Sequence, residues 1–499
     1  MRIISQKLRP LHLSGLRKLE DHLIREKLRP DIHLLENPDQ GIIFLKDSIS
    51  VFSCPKPLMR ALDHFLHGVP RAQAARSQNI AGPDFEVLLQ ALFKKSESKG
   101  KDDSQAPEND PEKTILDRLV LNVSNACNLR CRYCYAGGGN YGRPRSLMEE
   151  KTAARILDQF FELFDEIHKI QFFGGEPLLN PRLIQFVCED IQRRLEQGEI
   201  RERPHFSIVT NGTILSDEII GLFKQYGIAA TISLDGPEPV NDYLRGEGTF
   251  RKICRFVRAL EENRIEYSFE GTYTAFHLKN GLPLKDLLNF YYEYFQKRDI
   301  HMPPASLPEG HPLALDDGVV NEIYRDAVEY SLDNITSRQS PCSLSFASRM
   351  MNTFIEGKPI ENYCPAGFST LSADVQGNVY PCFMFTGNED FIVGNVFEEN
   401  EVRGTRKKPM VQKIFLSDKA RNPQCRKCWA SPFCSGCIGA DYYKTGERFE
   451  KTSCDLTKAM AEGFLAKVVN LMDKKSNEFS QITTEKGGES LSDQASEIS

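Results

Sequence analysis

From about residue 114 the chain alternates short apolar strands with amphipathic helices, and this periodicity restricts the fold more than any other feature. "LVLNV" precedes the helical stretch "SLMEEKTAARILDQFFELF", where Ser146 and Glu149 fit a capping box. "KIQFF" precedes a helix opened by Asn180 and Pro181, with proline at a tolerated first-turn position. "FSIVT" is followed by a helix capped by Ser216, "AATISL" by a helix starting at Thr249, and "YSFEGTYT" by "KDLLNFYYEYFQ". Such repetition implies parallel strands joined by right-handed crossovers. Functional groups are then expected at the strand ends, as in barrels.

The rest of the chain divides around this block. Residues 1–96 form an N-terminal unit, with "GIIFLKDSISVFSC" as a pair of short strands and helices at "KPLMRALDHFLHG" and "FEVLLQALFKK". Residues 97–113 are a polar linker, 114–300 the β-α block, 301–360 a bridging region and 361–460 a cysteine-rich segment. "LSADVQGNVYPC" reads as a hairpin turning at Gly377 and Asn378. The tail 474–499 is polar and expected to be disordered. A net charge of −6 gives no sign of a nucleic-acid-binding face, and no apolar run is long enough to span a bilayer. The first 19 residues are basic and lack the apolar core of a secretory signal. They read as a basic amphipathic start to the first unit, and the expected location is cytoplasmic.

Fourteen cysteines without a secretion signal point to metal or redox chemistry rather than disulfides. "CNLRCRYC" places Cys127, Cys131 and Cys134 as CX3CX2C just after the first strand of the block. Spacing alone permits zinc, but three thiolates on a short loop can also hold three irons of a four-iron cluster, leaving the fourth open. "GGGNYG" fits G-x-G-x-x-G formally, yet no strand precedes it directly, so it is read as a flexible glycine loop over the site. "CRKCWASPFCSGC" holds four further cysteines within thirteen residues, with Trp429 expected beside a cluster.

The first cysteine motif, followed in order by "GGEP", "TNG", "SLDG" and "NDYLRGEGTF" after successive strands, resembles the radical S-adenosylmethionine (SAM) enzymes. The resemblance implies a partial (β/α)6 TIM-like barrel of the α/β class. It also implies a [4Fe-4S] cluster on Cys127, Cys131 and Cys134 that binds SAM. Gly174, Gly175 and Glu176 would hold the methionine amino group, Ser233 the ribose, Arg245 the carboxylate, and Tyr133 would lie near adenine. A strongly reducing donor, flavodoxin or ferredoxin, would supply the electron that releases a 5′-deoxyadenosyl radical.

Cys364, Cys382, Cys425, Cys428, Cys434, Cys437 and Cys454, with Gly377 before Cys382, resemble the SPASM domain of peptide-modifying relatives. The tight run here ends in CX2C where that family has CX3C. The resemblance implies two auxiliary [4Fe-4S] clusters: an outer one on Cys425, Cys428, Cys434 and Cys454, and an inner one on Cys364, Cys382 and Cys437. The inner vacancy would take a substrate thiolate or Cys342. Cys54, Cys188 and Cys254 read as buried small hydrophobes. The N-terminal unit resembles a small α+β winged domain that recognises leader peptides.

The implied function is maturation of a peptide or protein, with thioether cross-linking favoured, as in ranthipeptide and quinohemoprotein amine dehydrogenase maturases. Carbon–carbon or carbon–oxygen cross-linking and formylglycine formation are the alternatives, and a non-catalytic metal scaffold is the rival of another class. Glu270 and Tyr273 are expected to face the cavity, and no general base is assigned.

Overall fold

The computed structural model describes residues 21–97, 115–336, 342–398, 409–416, 419–445 and 452–474. The basic N-terminus, nearly all of the linker and the polar tail lie outside the described residues.

The N-terminal unit is built on three antiparallel strands, β1 (Ile32–Glu36), β2 (Gly41–Leu45) and β3 (Ser50–Cys54), in that order. The sequence reading found β2 and β3 but not β1. Every residue of β2 is buried, because both faces of the sheet are covered. Ile43 and Leu45 pack against the helices Lys56–Leu66 and Gly82–Glu97. Ile42 and Phe44 face the other way, into the main core. That face meets the helix Cys454–Lys474 and the loop around Trp429. The His33 ring stacks on Trp429 with centroids 3.6 Å apart and planes 2° from parallel. Phe44 lies 5.5 Å from Phe433, centroid to centroid. Lys46 Nζ donates to the Arg426 carbonyl at 3.3 Å.

Five parallel strands follow: β4 (Ile115–Ser124), β5 (Glu166–Gly174), β6 (His205–Thr210), β7 (Ala229–Ser233) and β8 (Tyr267–Glu270). Parallel bridges from Glu270 to His301 and from Tyr273 to Pro304 extend the sheet by a sixth position. There β9 (Asp299–Ile300) pairs with β10 (Ser343–Leu344). This is the expected partial barrel. At its other edge β11 (Thr370–Ala373) runs parallel to β4, then turns into β12 (Asn378–Tyr380) and β13 (Gly394–Asn395). The cysteine-rich segment is therefore joined to the barrel through one continuous sheet. Among the described residues no helix is long and apolar enough to cross a membrane.

Three local expectations need correction. The helix after β4 starts at Glu150, with Glu149 at its N-cap and no side-chain cap. Ser146 and Glu149 form no capping box, because Leu147 is held extended by a bridge to Ser124. A helix Glu238–Arg245 precedes the one at Thr249. The hairpin turn is Asp374–Gly377, with Asn378 already in β12. Asp374 Oδ1 accepts from the backbone N–H groups of Gln376 and Asn378 at 2.9 and 3.0 Å, and Gly377 supplies the positive φ of +81°. Ser216 caps its helix as expected, accepting from Ile219 N–H at 3.3 Å.

Burial lowers the His33 pKa from 6.5 to about 4, so the stacked ring is neutral. The unfolded chain takes up a proton there first, so this contribution is present above pH 6.5 and is lost as pH falls toward 4. His33→Phe keeps an aromatic ring on Trp429. Urea midpoints measured from pH 7 to 4.5 are expected to fall less steeply for it than for the unaltered chain.

Candidate functional site

The three cysteines of CX3CX2C lie on the loop that leaves β4, and close backbone approaches hold that loop in place. Gly175 N–H donates to the Ser124 carbonyl at 2.7 Å and Glu176 N–H to that of Ala126 at 2.8 Å. A Cβ on Gly175 would lie 2.3 Å from the Ala126 oxygen. A Cβ on Gly139 would lie 2.5 Å from Cys127 Cβ and 2.7 Å from Gly175 Cα. These positions admit glycine alone, so "GGGNYG" is packed onto Cys127 and the "GGEP" turn. Tyr141 OH fastens it further, donating to the Gly174 carbonyl at 3.0 Å. Cys127, Cys131 and Cys134 lie close enough for their charges to act on one another. Burial pushes the Cys131 thiol up to about 12, so a positive group must be present to make it a thiolate.

Asp235, from "SLDG", was not singled out in the sequence. It has no exposed surface. Its carboxylate accepts from Tyr133 OH at 2.6 Å, Arg245 Nε and Nη2 at 2.9 Å each, and Thr272 N–H at 2.9 Å. His277 Nε2 donates to its carbonyl at 2.8 Å. Arg245 was expected to pair with a ligand carboxylate; two of its nitrogens instead hold this protein carboxylate. Tyr133 likewise has its hydroxyl committed to Asp235. Glu176, expected to bind an amino group, is 1% exposed. It accepts from Leu178 N–H, Thr210 Oγ and Asn211 N–H at 3.0, 2.7 and 2.8 Å. Burial nonetheless pushes its pKa up to about 7, against those three donors. Gly174 ends β5 and half-buried Ser233 ends β7, both at the cysteine-bearing end of the barrel.

The remaining cysteines fall into two sets. Cys364 and Cys382 both act electrostatically on Cys437. Cys428 and Cys454 both act on Cys434. Cys425 sits in the short helix Pro423–Lys427 that leads into Cys428. Buried Lys419 braces this second set, its Nζ donating to the carbonyls of Ser431 and Cys434 at 2.9 Å each. Tyr135 lies between Cys134 and Cys382 and feels both charges. Cys342 belongs to neither set: it is fully buried beside Asp299, its thiol donating to the Ser343 carbonyl at 3.5 Å. Cys54 and Cys188 are buried, whereas Cys254 is half-buried with its sulfur 3.9 Å from Tyr294 OH. Trp429 packs on His33 of the N-terminal sheet, a role its sequence position did not suggest.

Among the described residues no two cysteines are joined in a disulfide. Among the described residues no three His, Cys, Asp or Glu side chains converge to hold a single ion. A tetrahedral zinc site needs sulfurs about 2.3 Å from one point. Cysteines gathered in sets but not closed on a point suit a larger polynuclear group.

The two faces of the barrel strands differ in burial. On the helix-facing side of the strands Phe172, Ile208, Ile232 and Phe269 are 0 to 2% exposed. On the opposite face Gln171, Val209, Thr231, Ser268 and Glu270 all keep accessible surface. Glu270 is on this face, the lumen side of the barrel, as expected. Tyr273 does not: it is fully buried on the other side, donating to the Leu282 carbonyl at 3.0 Å.

The Asp235 network carries a testable cost. Asp235→Ala leaves the Arg245 charge buried and unpaired, which costs about 3–5 kcal/mol. Urea unfolding should recover part of that loss when Arg245→Met is added, since the unpaired charge is then gone.

A family model described as the radical SAM superfamily matches residues 121–290, and one described as the SPASM iron–sulfur cluster-binding domain matches 364–429. Cys434, Cys437 and Cys454 lie beyond the second match. The radical SAM cyclopropyl synthase TigE of Paramaledivibacter caminithermalis is 25% identical over 380 residues, 71% of this chain and 75% of that protein. A cysteine-type anaerobic sulfatase-maturating enzyme of Clostridium novyi is 25% identical over 64% of this chain and 87% of its own length. The solved structure of native anSMEcpe with bound AdoMet shares the fold, with a TM-score of 0.60 at 16% identity over 72% of this chain and 99% of that one. Radical SAM domains bind a [4Fe-4S] cluster and SAM, and SPASM domains bind auxiliary iron–sulfur clusters. The chain is accordingly an enzyme that carries a radical SAM domain and a SPASM iron–sulfur cluster-binding domain.

Proposed function

We propose that this enzyme matures a peptide or protein by joining a substrate cysteine to a neighbouring carbon through a thioether. The observation that carries the reading is the inner set of Cys364, Cys382 and Cys437. Cys382 of this set and Cys134 both act on Tyr135, and among the described residues no fourth cysteine acts on Cys437 with Cys364 and Cys382. Cys342 is spent in the core, so a substrate thiolate is the natural fourth ligand. Cys127, Cys131 and Cys134 would hold the SAM-binding cluster; Cys425, Cys428, Cys434 and Cys454 would hold the outer auxiliary one. When bound, cluster and SAM supply a one-electron cleavage whose carbon radical can take a hydrogen atom from substrate.

The protein's own residues bind, orient and exclude water. The Gly174 and Gly175 backbone, Ser233, and the edges of Glu176, Tyr133 and Arg245 left by their protein partners would surround SAM. The lumen would admit the residue to be modified. β3 pairs only with β2 among the described residues, and its open edge would take a leader peptide as an added strand. A flavodoxin or ferredoxin would deliver the electron.

A second reading, carbon–carbon bond formation, is favoured by one fact: TigE is named a cyclopropyl synthase. A solved relative carries a bound Kp18Cys peptide, which supports a peptide substrate under either reading.

Anaerobically reconstituted protein with dithionite and SAM should yield 5′-deoxyadenosine, and Cys127→Ala should abolish it. No 5′-deoxyadenosine from the unaltered protein would contradict the reading. Cys342→Ala should leave every cluster signal in the electron paramagnetic resonance spectrum; loss of one would make Cys342 the inner ligand.

A further inference from the structure

Two charged side chains meet the lumen without a protein partner. Glu270, at the end of β8, lies in register with Ser233 of β7. Its carboxylate makes no hydrogen bond or ion pair among the described residues, although burial raises its pKa. The charges that oppose that rise belong to Arg245 and Arg118. Arg245 is already neutralised by Asp235. Arg118, on β4, is not neutralised: its Nε is buried with no hydrogen-bond partner. Arg118 also acts on Cys364 and Cys382, so its charge reaches both Glu270 and the inner cysteine set.

An enclosed carboxylate and an enclosed guanidinium each cost free energy until a hydrogen-bonding partner reaches them. They do not reach each other. What relieves both is a ligand that turns a donor to one and an acceptor to the other. A cationic group would meet Arg118 as well as Glu270, and an anionic group would meet Glu270 as well as Arg118. A neutral amide fits both.

We propose that Glu270 and Arg118 bind one peptide amide of the substrate inside the barrel, Glu270 accepting from its N–H and Arg118 donating to its carbonyl. The arrangement would hold the residue to be modified between the first cysteine loop and the inner cysteine set. It rests on the peptide-maturation reading and adds the residues that select a peptide backbone.

The probe is N-acetyl-cysteinyl-alanine N-methylamide deuterated at the alanine carbons, added to the reconstituted full chain with SAM and dithionite. Deuterium in 5′-deoxyadenosine is read by mass spectrometry as the probe concentration rises. Glu270→Ala and Arg118→Met should each raise the half-saturating concentration about tenfold, the loss expected for one charge-assisted hydrogen bond. Glu270→Gln keeps a carbonyl acceptor and should raise it less. Iron content and the SAM dissociation constant should stay within about twofold of the unaltered chain and the melting temperature should not fall, since neither side chain bonds to the cysteine loop. Unchanged half-saturation in both variants overturns the inference. So does a weakened SAM dissociation constant, which would place the pair at the cofactor instead. If the unaltered chain cleaves SAM but never takes deuterium from the probe, the peptide reading itself fails and this inference with it.

Discussion

Asp235 is a carboxylate with no exposed surface, and the cofactor end of the barrel is organised around satisfying it. A buried charge persists only where its partners are fixed. Here the partners of the carboxylate come from three places: Tyr133 on the cysteine loop, Arg245 on the helix after β7, and Thr272 after β8; His277, on the short helix beyond, donates to the Asp235 backbone carbonyl. The requirement to satisfy one acid thus draws together the loop that carries Cys131 and Cys134 and the ends of two strands. The opposite side of the loop is fixed by close packing rather than charge, through Gly139 and Gly175.

The auxiliary cysteines reach the same lumen by backbone pairing. β11 adds to the free edge of β4, so the segment with Cys364 and Cys382 is continuous with the barrel sheet. The second set is held from outside the barrel. Trp429, next to Cys428, stacks on His33, and Phe44 of fully buried β2 packs beneath it. The N-terminal sheet is therefore a wall of the outer cysteine set.

The strand–helix rhythm was legible because apolar residues recur at the two periods that define strands and helices. The cysteine groups were legible because their spacing is local. What was not legible depends on tertiary partners. Glu176 and Arg245 carry motif positions, but only the fold reveals that Thr210 and Asp235 bond to them. Tyr273 alternates with Glu270 in a way that sends it outward, yet the short strand left its facing ambiguous. The Ser146 cap failed because a bridge to β4 outweighs a local preference. β1 was missed because its five residues do not alternate cleanly between apolar and polar. Asp235 had a recoverable signal: it is the acid of "SLDG", ten residues before the arginine that it binds.

The central claim is that three separate cysteine groups, none closed on a single point, each hold a polynuclear iron–sulfur group around one lumen. Iron, zinc and acid-labile sulfide measured on anaerobically purified protein test it directly. The account predicts about twelve iron and about twelve sulfide per chain, four of each for every group. Stoichiometric zinc with no labile sulfide would contradict it.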